Sequence, residues 1–235
     1  MKKFSSLKKT TKIDFATYFG VILVFVVTLL LQNSGMLNRK ATGLLVPICC
    51  YMSMAVSLNL TVGILGELSL GHAGFMSVGA FSGTLVYVVM SENAPQPLAL
   101  LLAFVVGGAV AGLFGVLVGI PVLRLSGDYL AIVTLAFGEI VKNVMNACYL
   151  GVDSHGLHFS LKDSASLNLE VDGKVLINGA MGITGIKKAS TFTIGIVLVI
   201  ITLLVILNLV NSRAGRAIKA IRDNEIAAES CGIQT

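Results

Sequence analysis

Residues 192–210 read FTIGIVLVIITLLVILNLV, an apolar run of 19 residues without a charge. About 20 apolar residues in a helix cross the roughly 30 Å of hydrocarbon in a bilayer. In lipid, only helices and closed barrels satisfy all backbone polar groups, and this run lacks the alternation of a barrel strand. The run therefore predicts a spanning helix, and with it an all-α membrane protein.

The same pattern recurs along the rest of the chain. Of 235 residues, 55% are hydrophobic and only 12% are charged, and the mean hydropathy is +0.89, which excludes an ordinary soluble globule. The first run is longer than a signal-peptide core and no A-x-A-like cleavage site follows it, so we expect it to be retained. The sequence predicts about six spans: Phe15 to Leu31, Thr42 to Leu65, Ala73 to Met90, Leu98 to Ile120, Tyr129 to Leu150 and Phe192 to Val210.

Basic residues set the expected orientation, because cytoplasmic loops carry an excess of Lys and Arg. A cluster of lysines precedes the first span and places the N-terminus in the cytoplasm. Six spans then place Arg124 and the C-terminal tail inside, and the loop 91–97, which has no Lys or Arg, outside. Arg39 and Lys40 fall outside and oppose this count. The N-terminal cluster comprises Lys2, Lys3, Lys8, Lys9 and Lys12.

No catalytic or metal-binding pattern is found. The sequence has no Walker-type phosphate loop or nucleophile elbow, and His155 and His158 lack a third ligand at a recognisable spacing. The net charge of +5 arises where the topology places basic residues, which argues against nucleic-acid binding. We expect no cofactor, and any ATPase would be a separate chain. The cysteines, without metal-ligand spacing or a disulfide framework, are Cys49, Cys50, Cys148 and Cys231.

Residues 63–83, GILGELSLGHAGFMSVGAFSG, join the second and third spans and are rich in Gly, Ser and Ala. Gly79 and Gly83 form a small-xxx-small pair, where helices approach closely. Glu67 and His72 allow two interpretations. The segment is either broken or re-entrant backbone that lines a transport pathway, or a tight cytoplasmic turn flanked by packing glycines.

The fifth span carries polar residues on one face. Glu139 is spaced i,i+3 from Lys142 and i,i+4 from Asn143, and Asn146 continues the face. Ionisable groups inside a membrane usually point into the bundle or a water-filled cavity, so pathway lining is expected. The alternative is a structural Glu–Lys pair that fixes helix packing. Asp128 is the expected N-cap of this helix.

The segment 151–191 is expected outside the membrane. Within it, SLNLEVDGKVLING (166–179) contains two short β-prone runs separated by Asp172-Gly173, which predicts a hairpin. Such a hairpin either meets a delivery protein or simply closes a long loop.

The C-terminal tail from Ser212 changes from uniformly apolar to amphipathic. Arg213, Arg216, Lys219 and Arg222 form a basic strip, followed by acidic Glu225 and Glu229. A helix on anionic lipid would stay basic and carry bulky anchors, whereas small alanines favour docking in a groove on another protein. A membrane-surface helix remains the alternative.

Four stretches together resemble the M-type permease subunits of branched-chain amino-acid ABC importers. They are GRAIKAIRDNEIAAESCGI (215–233), LTVGILGELSLGHAGFMSVGAF (60–81), LRLSGDYLAIVTLAFGEIVKNV (123–144) and, more loosely, GAMGITGI (179–186). In that family the first stretch contains an "EAA...G" element that docks on the ATPase. Glu225, Ala227, Ala228 and Gly232 occupy the matching positions.

The resemblance implies an import permease for leucine, isoleucine or valine in the bacterial inner membrane. Its implied partners are a second, homologous permease subunit, two cytoplasmic ATPases and a periplasmic or extracellular binding protein. The domains expected are a basic N-terminus (1–14), a transmembrane part (15–211) and a coupling helix (212–235). Family members continue into further spans beyond Thr235, so we expect a truncated product or fragment.

Two sets of site residues follow from these patterns. The expected ATPase-coupling residues are Arg213, Gly215, Arg216, Arg222, Glu225, Ala227, Ala228 and Gly232. The expected pathway residues are Gly66, Glu67, Ser69, Gly71, His72, Glu139, Lys142 and Asn143.

Other functions remain open at this point. The first is an importer of the same architecture for urea or short-chain amides. The second is an ATP-independent channel or secondary transporter that uses Glu139, Lys142 and His72 as an ion relay. The third is a truncated, non-transporting subunit that only binds its partners.

Overall fold

The structure, a computed structural model, describes residues 9–91, 94–122, 127–153, 156–167, 173–186 and 189–233, without the side chains of residues 9–13, 128 and 174. Several residues used in the sequence predictions therefore lie outside the described residues. These are Lys2, Lys3, Lys8, Arg124, His155, Asp172 and Thr235.

The protein is an all-α, multi-pass membrane protein, as predicted. Six helices are long and apolar enough to cross a membrane among the described residues. The fifth ends at Ala147 rather than at Leu150, because the chain enters a strand there. The helices are α1 (Lys9–Asn33), α2 (Arg39–Asn59), α3 (His72–Ser91), α4 (Gln96–Val122), α5 (Asp128–Ala147), α6 (Phe192–Asn211), α7 (Arg213–Asp223) and α8 (Glu225–Ser230).

Helix α2 continues directly into a π-helical turn, Leu60–Leu65, which we call the π segment. The amide of Gly66 closes it by donating to the carbonyl of Thr61, five residues earlier, at 3.0 Å. Gly66 has a φ of 87°, a left-handed conformation that glycine adopts at low cost. The second span, Arg39–Leu65, is therefore terminated by a left-handed glycine at its C-cap.

The chain divides into two compact units. The first comprises Met1–Gly66 and Ser190–Thr235, and its core is a cluster of Cys49, Ile196, Val199 and Leu203 from α2 and α6. A Cβ at Gly195 would lie 2.9 Å from that of Cys49, so glycine lets the two helices touch.

Helices α1 and α6 meet at both ends in this unit. Near one end, the rings of Phe25 and Phe192 are 5.5 Å apart. At the other, the Asn211 amide donates to the Asp14 carboxylate at 2.9 Å. The start of the first span therefore lies beside the end of the sixth, as an even number of spans requires.

The second unit, Glu67–Ala189, contains α3, α4 and α5. Helices α3 and α4 cross at glycines. A Cβ at Gly83 would lie 2.9 Å from the Ala103 carbonyl oxygen, and one at Gly107 would lie 2.7 Å from that of Gly79. Gly79 and Gly83, which were predicted to permit close packing, therefore lie in a close contact with α4.

The same unit carries a three-stranded antiparallel sheet in the order β2-β1-β3, formed by β1 (Tyr149–Asp153), β2 (Gly156–Ser160) and β3 (Lys174–Asn178). The predicted second β-prone run is present as β3, but it pairs with β1, a partner the sequence analysis did not identify. Residues 168–172, including Asp172 of the predicted turn, lie outside the described residues. In the first run, Ala165–Leu167 forms a 3₁₀ turn.

Candidate functional site

The C-terminal tail follows α6 with almost no linker. Ser212 caps α7, its hydroxyl accepting from the Gly215 amide at 3.2 Å. Gly215 is buried, and a Cβ there would collide with the carbonyl oxygens of Leu209 and Val210. Gly215 therefore lets α7 turn tightly off the end of the sixth span.

The predicted amphipathic tail is helical, but it is divided into two helices at Asn224. This residue is extended, with φ −164° and ψ 109°, and its side chain accepts from the Ala227 amide at 3.0 Å. Asn224 thus ends α7 and caps α8. At the far end, the amides of Gly232 and Ile233 donate to the carbonyls of Glu229 and Ala228, a Schellman motif with Gly232 left-handed at φ 82°.

The expected coupling residues divide by exposure. Ala228 is only 4% exposed, so it packs within the chain rather than on an open surface, and Gly215 is also buried. The sequence analysis missed Ile226, which is 78% exposed. An apolar residue between Glu225 and Ala227 of the "EAA" element was the available signal. The exposed coupling residues are Arg213, Arg216, Arg222, Glu225, Ala227 and Gly232.

Arg222 connects α7 to the π segment. Its Nη1 donates to the Gly63 carbonyl oxygen, and a Cβ at Gly66 would lie 3.2–3.3 Å from Cγ, Cδ and Nε of Arg222. Carbonyls in the last turn of a helix lack intrahelical partners and carry partial negative charge. A guanidinium therefore satisfies the end of the second span, and Gly66 makes room for it.

The segment after Gly66 is fixed on α5. The Leu70 amide donates to Oγ1 of Thr134 at 3.1 Å, and a Cβ at Gly71 would lie 2.9 Å from the Thr134 carbonyl oxygen. Ser69 and Thr134 are buried, and the rings of Phe75 and Phe137 pack at a tilt with their centroids 4.8 Å apart. Thr134 was not predicted, since a single Thr in an apolar run does not reveal its partner.

Two further polar residues of this segment are partly enclosed. Glu67 and His72 are half-buried. Nδ1 of His72 is buried without a hydrogen bond to any part of the chain that the structure describes.

The polar face of α5 is present. Nζ of Lys142 lies 3.2 Å from Oε2 and 3.4 Å from Oε1 of Glu139. The two side chains are 62% and 56% exposed within this chain. The helix begins at Asp128 with Gly127 as its N-cap, one residue earlier than predicted.

Glu139 and Lys142 line a cleft of about 400 Å³ between α3 and α5. Apolar side chains form most of its wall, among them Leu70 from the segment before α3, Phe81 of α3 and Met145 of α5. Asn146 also lines it, whereas the other six expected pathway residues, Gly66, Glu67, Ser69, Gly71, His72 and Asn143, lie outside its described lining.

In the three-stranded sheet, Nε2 of His158 lies 3.0 Å from Oδ2 of Asp153, whose side chain is buried. Across the described ranges, no group of three or more His, Cys, Asp or Glu side chains is placed to hold a metal ion. Described cysteines are all free, and burial raises the pKa of the Cys148 thiol.

Comparisons with known proteins agree with these features. The profile of a family described as "Branched-chain amino acid transport system / permease component" matches residues 41–235. The chain is 32% identical over 210 residues to the high-affinity branched-chain amino acid transport system permease protein LivM of Salmonella typhimurium, covering 84% of this chain and 47% of that protein. It is 30% identical over 223 residues to LivM of Escherichia coli, covering 91% of this chain and 51% of that protein.

The chain thus spans about half the length of the curated relatives it matches. No solved structure matches it significantly.

Proposed function

The chain belongs to the family of branched-chain amino acid transport permeases, and from this premise we propose that it is a membrane-spanning subunit of an ATP-driven importer. The importer would move leucine, isoleucine or valine across the bacterial inner membrane. Hydrolysis of ATP would occur on two separate cytoplasmic ATPases. A second, homologous permease and a periplasmic or extracellular binding protein would complete the complex.

The observation that carries this proposal is the exposed tail. Its two helices follow the sixth spanning helix, and they expose both charge and one large apolar side chain, Ile226. A helix docked in a protein groove needs such an apolar anchor with polar residues around it. We assign Ile226 as the anchor on the ATPase, with Arg213, Arg216 and Glu225 at the rim.

The division of the tail gives the two buried residues a different role. Ala228 and Gly215 have almost no free surface, so they would act by shaping the tail and not by touching the ATPase. Of the "EAA...G" element, Glu225 and Ala227 would make contact. Gly232 would end the helix so that nothing blocks the groove.

The contact of Arg222 with Gly63 provides a path for coupling. When the ATPases close, α7 would be displaced, and its guanidinium would pull on the end of the second span. Since π turns carry irregular hydrogen bonding, this end is a suitable point for a spanning helix to change its winding. This transmission is a rigid-body or hinge transition of the kind that drives alternating access.

The test is co-purification of the ATPases with the tagged chain from detergent-solubilised membranes, followed by an ATPase assay of the eluate. We expect Ile226→Ser to lower the recovered ATPase activity about tenfold or more, as removal of a central apolar anchor costs about 2 kcal/mol. Met36→Ser is the matched control, because Met36 is also 78% exposed but lies in the loop between α1 and α2.

Equal recovery with both variants would refute the assignment of Ile226. Recovery of the chain without any ATPase would refute the importer proposal itself.

A further inference from the structure

We propose that the cleft between α3 and α5 is a binding site for the zwitterionic head of an α-amino acid. In this site Lys142 holds the carboxylate, Glu139 holds the ammonium, and the apolar wall receives an aliphatic side chain. The inference deepens the proposed transport function and rests on it, since it names the chemical class of cargo that this chain contacts directly.

The position of the ion pair is the first argument. Glu139 lies ten residues after Tyr129 and eight before Ala147, which are the ends of the fifth span, so the pair is near its middle. Each such charge costs about 2.5–3.5 kcal/mol at the centre of a spanning helix. An exposed pair one turn apart returns only about 0.3–0.5 kcal/mol in water. Stability therefore does not explain the pair.

The second argument is the unused hydrogen-bonding capacity. The ammonium of Lys142 has three donors and a carboxylate about four acceptor sites, and the described contacts between the two groups use only part of them. Both side chains are more than half exposed, so a ligand can reach them. The cleft thus offers a positive and a negative group, 3.2 Å apart, to the same small molecule.

Charge complementarity then selects the ligand. An α-amino acid carries its ammonium and its carboxylate on one carbon atom, so the two charges can pair with Glu139 and Lys142 at once. A simple anion or cation would pair with one group and be repelled by the other. A neutral amide such as urea offers no charge to either group.

The wall of the cleft fits the rest of the molecule. Small-molecule sites are mostly apolar cavities of about 300–1,000 Å³ with a few polar groups that fix orientation. This cleft has about 400 Å³, with Leu70, Phe81 and Met145 in its wall. Gly74 and Gly138 also line it, and a Cβ at Gly74 would lie 3.2 Å from Cα of Gly138. The glycines allow α3 and α5 to lie close together. The width of the cleft is therefore set by the side chains of its wall.

The experiment measures ligand binding to the purified complex of this chain with its partner permease and ATPases in lipid nanodiscs, without the binding protein. The probes are radiolabelled leucine, with leucinol, 4-methylpentanoate and urea as competitors. Leucinol lacks the carboxylate and 4-methylpentanoate lacks the ammonium. We expect leucine to compete at least roughly 30-fold better than each of them.

Variants locate the site. Glu139→Gln and Lys142→Met should each weaken leucine binding roughly 30-fold, because each leaves one charge of the ligand unpaired. The double variant Glu139→Lys/Lys142→Glu keeps both charges and should bind leucine better than either single variant. Ile140→Ala is the control: Ile140 is 61% exposed on the same helix and lies outside the described lining.

The outcomes separate this proposal from the proposed function. If ATPases co-purify but leucinol or 4-methylpentanoate competes as well as leucine, or if Ile140→Ala weakens binding as much as Glu139→Gln, the zwitterion site is wrong and the importer stands. If no ATPase co-purifies, the importer proposal fails. Leucine binding to the chain alone, lost in Glu139→Gln and kept in Ile140→Ala, then still supports the site, and its absence rejects it.

Discussion

Single glycines decide how closely the helices of the second unit approach. Gly107 and Gly108 are neighbours in α4 but differ in their surroundings. A Cβ at Gly107 would lie 2.7 Å from the carbonyl oxygen of Gly79, whereas one at Gly108 meets nothing within 4 Å. One glycine is therefore a packing requirement and the other is not.

This difference gives a matched pair of substitutions. Gly107→Ala should lower the free energy of unfolding by about 1–3 kcal/mol, because the added methyl group forces α3 and α4 apart. Gly108→Ala should be neutral or stabilising by up to about 1 kcal/mol, as Ala favours the helix. Thermal unfolding of the two variants in the same detergent checks this, and equal melting temperatures would contradict the contact.

The glycine pattern shows what the sequence can reveal at this scale. The spacing of Gly79 and Gly83 predicts a helix surface without bulky side chains, and the structure has a close helix contact there. The spacing does not say which helix packs there, since Gly107 lies in a run with many glycines. The role of Thr134 could not be predicted for a similar reason. Its hydroxyl accepts a hydrogen bond from the Leu70 amide, which is 64 residues away in the sequence.

At the scale of elements, the joint between α7 and the π segment is the feature with the clearest consequence. Arg222→Gln removes the guanidinium that donates to the Gly63 carbonyl oxygen. A hydrogen bond to a charged group contributes about 1.5–3 kcal/mol. We expect the ATPases to co-purify almost normally while leucine uptake into proteoliposomes falls several-fold, since docking is kept and transmission is weakened.

Lys219→Gln is the control for this prediction. It removes the same charge from an exposed position of α7 and has no described hydrogen bond to the π segment. Equal uptake by the two variants would refute the role proposed for the contact between Arg222 and Gly63.

The sequence predicts an element well where the length of an apolar run determines it. It predicts an element poorly where the backbone conformation of a single residue determines it. All six spans follow from apolar runs. The division of the tail depends on Asn224, which can either continue a helix or cap one, and only packing decides. The pairing of β3 with β1 depends on tertiary contacts, because the β-prone run before residue 173 was an equally good partner in sequence.

For the whole molecule, the count of spans gives a topology that can be tested with its own cysteines. Six spans from a cytoplasmic N-terminus place Cys231, in the tail, inside the cell, and Cys148, at the end of α5, outside. The Asp14–Asn211 hydrogen bond supports an even count, because it joins the start of the first span to the end of the sixth.

In intact spheroplasts, a membrane-impermeant maleimide should therefore label Cys148 and leave Cys231 unmodified until the membrane is permeabilised. The thiolate is the reactive form, and the raised pKa of Cys148 lowers its thiolate fraction at neutral pH. Labelling of Cys148 should thus be slow near pH 7 and speed up towards about pH 9. Peptide mapping by mass spectrometry identifies the modified residue, and labelling of Cys231 in intact spheroplasts would reverse the orientation.

Only Cys148 separates the last residue of α5 from the first of β1. The joint is also braced from the side, because the Gly179 amide donates to the Cys148 carbonyl at 3.0 Å. Gly179 has no room for a side chain, since a Cβ there would lie 2.8 Å from both the Asn146 carbonyl oxygen and the Tyr149 ring. Because this connection is short and tightly packed, a rotation of α5 about its axis would also rotate the sheet. The midpoint of the fifth span, at Glu139, and the far end of β1, at Asp153, would then move together as one rigid body.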